Sequence, residues 1–261
     1  MRAINPLDGV EIDYDVVGSG DPLVLLHGSA LSRGVWRAFG YVRALRETYR
    51  LILVDQRGHG RSDKPHDEER YAMDVVAADV VAVLDAANVE RAHVCGYSFG
   101  GRTALTTAVA HPERVRSLAL GGASSRPQRG SFDALFFDGA AAALARDGMD
   151  EFLRRWELVR DAPIDSGTRA AFRANDSRAL AAYMSRSDVE PGIPDDALAA
   201  IDVPTLVFVG DRDRQRLADC EHLATTIPDA VLSIVPGADH ATTLAHSAEV
   251  LGVLAPFLNR T

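Results

Sequence analysis

Cysteine is nearly absent: the 261-residue chain holds two, Cys95 and Cys220. They lie far apart, without the close spacing of a zinc site or a disulfide framework. A reduced, cytoplasmic protein is therefore expected, with Cys95 acting as a small buried hydrophobe. Positive charge is also short. With 28 Lys+Arg against 37 Asp+Glu the net charge is −9, which argues against nucleic acid as a partner, because phosphate neutralisation needs a concentrated basic surface. No apolar run approaches the roughly 18 residues of a membrane span, and Met1 to Gly18 contain no continuous apolar stretch of the secretory kind. No membrane association and no signal peptide are expected. A Gly-rich dinucleotide turn after a strand, a Walker pattern and clustered metal ligands are all missing, so no cofactor and no metal are expected.

What is present fits a globular protein. The chain is 47% hydrophobic and 25% charged, and at this length it can bury a full core without staples. Val10–Val16 alternates apolar and acidic residues after Asp8-Gly9, the pattern of a half-exposed strand. Short apolar runs at Leu23–Leu26, Leu51–Val54, Ala92–Cys95, Leu118–Leu120, Thr205–Val209 and Val231–Val235 suit parallel strands covered on both faces. Helical spacing occupies Tyr71–Ala87, Thr103–Ala110 and Leu244–Leu258. The alternation predicts an α/β fold, a mostly parallel sheet flanked by helices. It breaks between residues 123 and 198, where Phe132, Leu135, Phe136, Phe152, Trp156, Phe172 and Tyr183 recur at helical spacing without strand-like runs. That segment is expected to be a helical cap inserted between a core of residues 1–122 and 199–261. Phe132, Phe136, Phe137 and Trp156 are its candidates for substrate binding, although aromatics at helical spacing are often plain core.

The chemistry centres on Gly96-Tyr97-Ser98-Phe99-Gly100, between a strand signal and a helix signal. Glycines two residues either side of a serine permit a sharp, strained turn that lifts the hydroxyl out of the sheet. The Phe99 N–H then lies at a helix N-terminus, where unpaired donors favour an oxyanion. A serine hydroxyl needs a base. Of the eight histidines, His240 follows a strand and the turn Pro236-Gly237-Ala238-Asp239, at a sheet edge where catalytic groups converge. The base in turn needs an orienting acid. Both Asp211 and Asp213 follow the Thr205–Val209 strand, and Asp213 is preferred. In Leu26-His27-Gly28-Ser29, the Ser29 N–H is the candidate second oxyanion donor.

These motifs resemble the α/β-hydrolase superfamily with a helical cap. The similar stretches are His27-Gly28, Asp55-Gln56-Arg57-Gly58-His59-Gly60-Arg61-Ser62, Gly96-Tyr97-Ser98-Phe99-Gly100-Gly101, His111-Pro112-Glu113-Arg114-Val115, Gly210-Asp211-Arg212-Asp213 and Gly237-Ala238-Asp239-His240. The order nucleophile, acid, histidine is met by Ser98, Asp213 and His240. The resemblance implies that the second aspartate of the turn is catalytic, that Ser29 and Phe99 are the oxyanion donors, and that Asp55–Ser62 is structural. Two features depart from it. Arg214-Gln215-Arg216-Leu217 replaces the usual proline and apolar residues after the acid. Asp239 replaces the usual small residue before the histidine, and an inward carboxylate there would raise the pKa of the imidazole.

Ser98, rather than Asp, at the elbow argues against haloalkane dehalogenases and epoxide hydrolases. Ser29-Ala30-Leu31 lacks the Gly-Pro-rich stretch of ring-cleavage carbon–carbon hydrolases, which weakens that reading. The expectation is a serine hydrolase, carboxylesterase-like, cleaving a small-molecule ester, lactone or thioester. The alternatives are a perhydrolase, acyltransferase or ring-forming biosynthetic enzyme of the same fold, or a receptor-like binding protein. The sequence leaves the oligomeric state open.

Overall fold

The computed structural model describes residues 1–161 and 163–261. Eight strands form one sheet: β1 (Arg2–Ile4), β2 (Glu11–Val17), β3 (Asp21–Leu26), β4 (Tyr49–Val54), β5 (Ala92–Tyr97), β6 (Val115–Gly121), β7 (Thr205–Gly210) and β8 (Ala230–Val235). Their spatial order is β1-β2-β4-β3-β5-β6-β7-β8. β1–β2 and β2–β4 are antiparallel, and every later pairing is parallel. The helices are α1 (Gly34–Ala38), α2 (Tyr41–Leu45), α3 (Met73–Ala86), α4 (Phe99–Ala110), α5 (Ser131–Leu135), α6 (Ala140–Arg160), α7 (Ser166–Arg173), α8 (Ser177–Val189), α9 (Asp195–Ala199), α10 (Leu217–Thr226) and α11 (Ser247–Leu258).

Successive residues of a strand face opposite sides of the sheet, and the central strands are apolar on both. Val24, Leu26, Ile52, Val54 and Val94 pack with α3 and α4 residues such as Val80, Val83 and Leu105. Leu23, Leu25, Leu51, Leu53 and Cys95 face the other way, against Trp36, Tyr41, Leu254 and Phe257. This two-sided burial is why the central strands read as continuous apolar runs rather than as alternation. Among the described residues no helix is long and apolar enough to cross a membrane.

Between β6 and β7 the chain leaves the sheet and builds α5 to α9, with no strand among the described residues. The excursion is closed at its base, where Ile193 N donates to Ser125 O at 2.7 Å. Arg102, on α4, clasps both arms there, donating to Ser124 O, Arg126 O and Pro191 O. A third apolar cluster joins the excursion to the loop after β3 and to the starts of α3 and α4. Phe136, Phe152, Trp156, Phe172 and Tyr183 pack in it together with Ala30, Tyr71 and Phe99 of the core.

Candidate active site

β5 is fully buried and ends at Tyr97, and α4 begins one residue beyond Ser98. Ser98 occupies φ +53°, ψ −112°, a sparsely populated conformation that costs on the order of 1–3 kcal/mol. The surroundings enforce it: Ser98 N donates to Gly121 O at 2.8 Å, and Ser98 O accepts from Arg102 N at 2.9 Å. The turn brings backbones so close that the flanking residues must be glycine. A Cβ on Gly96 would lie 2.0 Å from Gly100 O, and one on Gly100 would lie 2.2 Å from Leu26 O.

The chain ends of three strands converge on this turn. His240, in the loop after β8, places Nε2 2.9 Å from Ser98 Oγ. Its Nδ1 lies 2.6 Å from Asp213 Oδ2 in the loop after β7. The Asp213 carboxylate is 1% exposed and the His240 ring 27% exposed. Asp213 Oδ1 also accepts from Arg216 N at 3.1 Å. The structure thus brings Ser98, Asp213 and His240 together in one hydrogen-bonded line. Asp211 points elsewhere: it is exposed, and its Oδ1 accepts from Gly237 N at 2.8 Å, tying the β7 loop to the β8 loop. Asp239 does not reach the imidazole by a hydrogen bond. Its carboxylate accepts from Thr242 Oγ1, Thr242 N and Ala241 N, and the Thr242 hydroxyl foremost holds its pKa below the usual range. After Asp213, Arg216 pairs with Asp219 and reaches Gln128 at the base of the excursion.

Ser29 lies in the loop after β3 and Phe99 is the first residue of α4. The loop holding Ser29 rests on two buried histidines. His27 Nε2 accepts from Gln56 N and His59 Nε2 accepts from Ala30 N, each at 3.1 Å. Their Nδ1–H groups donate to Gly28 O and Arg57 O. Burial pushes their pKa values down to about 4 and about 3, with the neighbouring His27 adding to the effect on His59. Both are neutral supports. His66 and His222 pair with Asp176 and Asp195, and His93 with Ser117.

Of the aromatics expected in a binding role, Phe136, Phe137 and Trp156 are buried in the third apolar cluster, where the Phe136 and Trp156 rings are 4.8 Å apart. Phe132 is half-buried, with its ring 5.6 Å from that of Tyr183. Tyr97 belongs to the elbow motif and Tyr183 to the helical spacing of the excursion, but nothing in the sequence points to the contacts that they and Asn175 make. Tyr97 donates its hydroxyl to His240 O. Tyr183 shares a hydrogen bond with Ser29 Oγ. Asn175 donates to Ala30 O. All three contacts join residues more than 140 positions apart, and no local pattern marks them.

The comparisons with known proteins agree with this architecture. The family model described as "alpha/beta hydrolase fold" matches residues 21–242. The chain belongs to the α/β-hydrolase family. Among similar proteins is a pimeloyl-[acyl-carrier protein] methyl ester esterase of Xanthomonas campestris pv. campestris, 35% identical over 94% of this chain and 97% of its own. A 2-hydroxymuconate semialdehyde hydrolase of Pseudomonas sp. (strain CF600) is 32% identical over 96% of this chain and 91% of its own. A solved structure described as an N-acyl homoserine lactone degrading enzyme has 31% identity and a TM-score of 0.78, covering 98% of this chain and 100% of that one. The α/β-hydrolase assignment and these relatives make the chain a hydrolase of this fold.

Proposed function

We propose that this α/β-hydrolase is a serine hydrolase that cleaves a small carboxylic ester, lactone or thioester through an acyl-enzyme on Ser98. The observation that carries the reading is the line Ser98 Oγ–His240 Nε2–Asp213, at 2.9 Å and 2.6 Å, on a strained strand-to-helix turn. The similarity to a methyl ester esterase and to a lactone-degrading enzyme supports the bond type.

In the first half-reaction Ser98 Oγ attacks the substrate carbonyl carbon while His240 Nε2 takes the hydroxyl proton. Asp213 holds Nδ1–H, fixes the tautomer and stabilises the imidazolium. The developing oxyanion is met by the Ser29 and Phe99 N–H groups, and two such donors contribute several kcal/mol. The carbon–leaving group bond breaks, and His240 gives its proton to the departing alkoxide or thiolate. Water then attacks the acyl-enzyme, His240 takes its proton, and the acid leaves as Ser98 regains the hydroxyl hydrogen. The excursion from residue 123 to 198 serves as a cap over this centre. Tyr183 and Phe132 support that placement, because the Tyr183 ring lies against Phe99 and the Phe132 ring lies against Tyr183.

A second reading is favoured by the Pseudomonas relative: hydrolysis of a 2-hydroxymuconate semialdehyde-like substrate. One panel of p-nitrophenyl esters, lactones, acyl thioesters and 2-hydroxymuconate semialdehyde, run at a single enzyme concentration, decides between them. Turnover of esters, lactones or thioesters well above that of the semialdehyde is the expected result, and the reverse ranking overturns the first reading.

A further inference from the structure

The loop after β3 carries one proposed oxyanion donor, and the sheet alone does not hold it. Ala30 sits at φ +58°, a left-handed conformation that a Cβ disfavours, so the turn depends on outside support. Three side chains supply it. His59 accepts from Ala30 N at 3.1 Å. The other two come from the helical excursion: Asn175, just beyond α7, donates to Ala30 O at 3.0 Å, and Tyr183 on α8 shares a 2.9 Å hydrogen bond with Ser29 Oγ. Tyr183 is 5% exposed. Its ring also lies 4.4 Å from that of Phe99, so one cap side chain touches both residues whose N–H groups are the proposed donors.

We infer that Tyr183 is a positioning residue for the oxyanion hole: its hydroxyl on Ser29 and its ring on Phe99 couple the seating of the helical excursion to the aim of the two donors. The inference rests on the acyl-enzyme reading. Donors stabilise an oxyanion only when they are already aimed where charge develops, and a loosened loop must be reordered during the reaction. The substrate's neutral carbonyl gains less from those donors than the oxyanion does. The defect therefore falls on kcat and leaves KM nearly unchanged.

The test uses Tyr183→Phe, Ser29→Ala and the double variant. Tyr183→Phe keeps the ring and removes the hydroxyl, and Ser29→Ala keeps the N–H. The measurements are kcat and KM for p-nitrophenyl acetate and the rate of phosphonylation by a fluorophosphonate, whose phosphoryl oxygen needs the same donors. Each single variant is expected to lose about fivefold to tenfold in kcat and in phosphonylation rate, with KM held within about twofold. The double variant should lose no more than the worse single one, because both changes delete one bond. Unchanged rates in the singles, additive losses, or a change confined to KM would overturn the inference. If Tyr183→Phe does not melt cooperatively, Ser29→Ala decides alone: retained kcat contradicts the inference. A wild-type protein that neither turns over nor labels contradicts the acyl-enzyme reading itself. A wild type that does both, with variants that match it, contradicts this inference only.

Discussion

Tyr97 holds His240 from two sides: its hydroxyl donates to the His240 backbone carbonyl, and its ring lies 5.4 Å from the imidazole at 31°. The residue before the proposed nucleophile therefore fixes the loop that carries the proposed base. Tyr97→Phe keeps the ring contact and deletes one partly buried hydrogen bond, which contributes about 1 kcal/mol. The expected outcome is a fall in kcat of roughly fivefold with a small drop in melting temperature. A chemical-denaturation curve beside a kcat measurement checks it, and unaltered turnover would count against a positioning role.

The two aspartates after β7 are distinguishable by their partners. Asp213 meets His240 Nδ1, whereas Asp211 meets Gly237 N. Asp213→Asn should stay folded and lose on the order of 10⁴ in kcat, as a comparable triad does when the tautomer is wrong. Asp211→Asn should keep measurable turnover and melt earlier, by an amount on the order of 1 kcal/mol. The opposite pair of phenotypes would move the acid role to Asp211.

Much of this was legible in the chain itself, for identifiable reasons. The central strands announce themselves because both of their faces are buried, so Leu23–Leu26 and Leu51–Val54 are unbroken apolar runs. The elbow is legible because the geometry leaves no room for anything but glycine at positions 96 and 100. β1 spans only Arg2–Ile4, too short for a period to appear. α10 buries only Cys220 and Leu223 of its ten residues, so its pattern is faint. Tyr97, Asn175 and Tyr183 are set by contacts between distant segments, and their neighbours in sequence carry no sign of it.

Acid sensitivity follows from the two buried histidines beneath the oxyanion loop. Folding lowers the pKa of His27 from 6.5 to about 4 and that of His59 from 6.5 to about 3. Below about pH 6.5 the unfolded chain binds protons that the folded chain refuses. Their contribution is therefore fully present above that pH and is lost as the pH falls toward 4 and then 3. The slope is roughly 1 kcal/mol per pH unit for each histidine. Urea unfolding between pH 7.5 and 4.5 should give a steadily falling midpoint, and His59→Gln should flatten the fall. A wild-type midpoint that does not change over that range would contradict neutral burial of these side chains.

Phe132 and Phe152 separate lining from packing. Phe152 is fully buried among Phe136, Trp156 and Phe172, so Phe152→Ala should cost about 3–5 kcal/mol in stability. Phe132, half-buried against Tyr183, should tolerate Ala with little change in melting and a shifted preference among acyl chain lengths. A chain-length series of p-nitrophenyl esters, read beside thermal melts, checks both. An unchanged chain-length preference in Phe132→Ala would remove that ring from the binding surface.

Covalent catalysis through Ser98 is checked by mass spectrometry of the intact protein and its peptides after fluorophosphonate treatment. One adduct per chain is expected, on the peptide holding Ser98. Ser98→Ala should neither label nor turn over while melting as the wild type does. An adduct on another residue, or a Ser98→Ala protein that keeps more than a small fraction of the rate, would contradict an acyl-enzyme on Ser98.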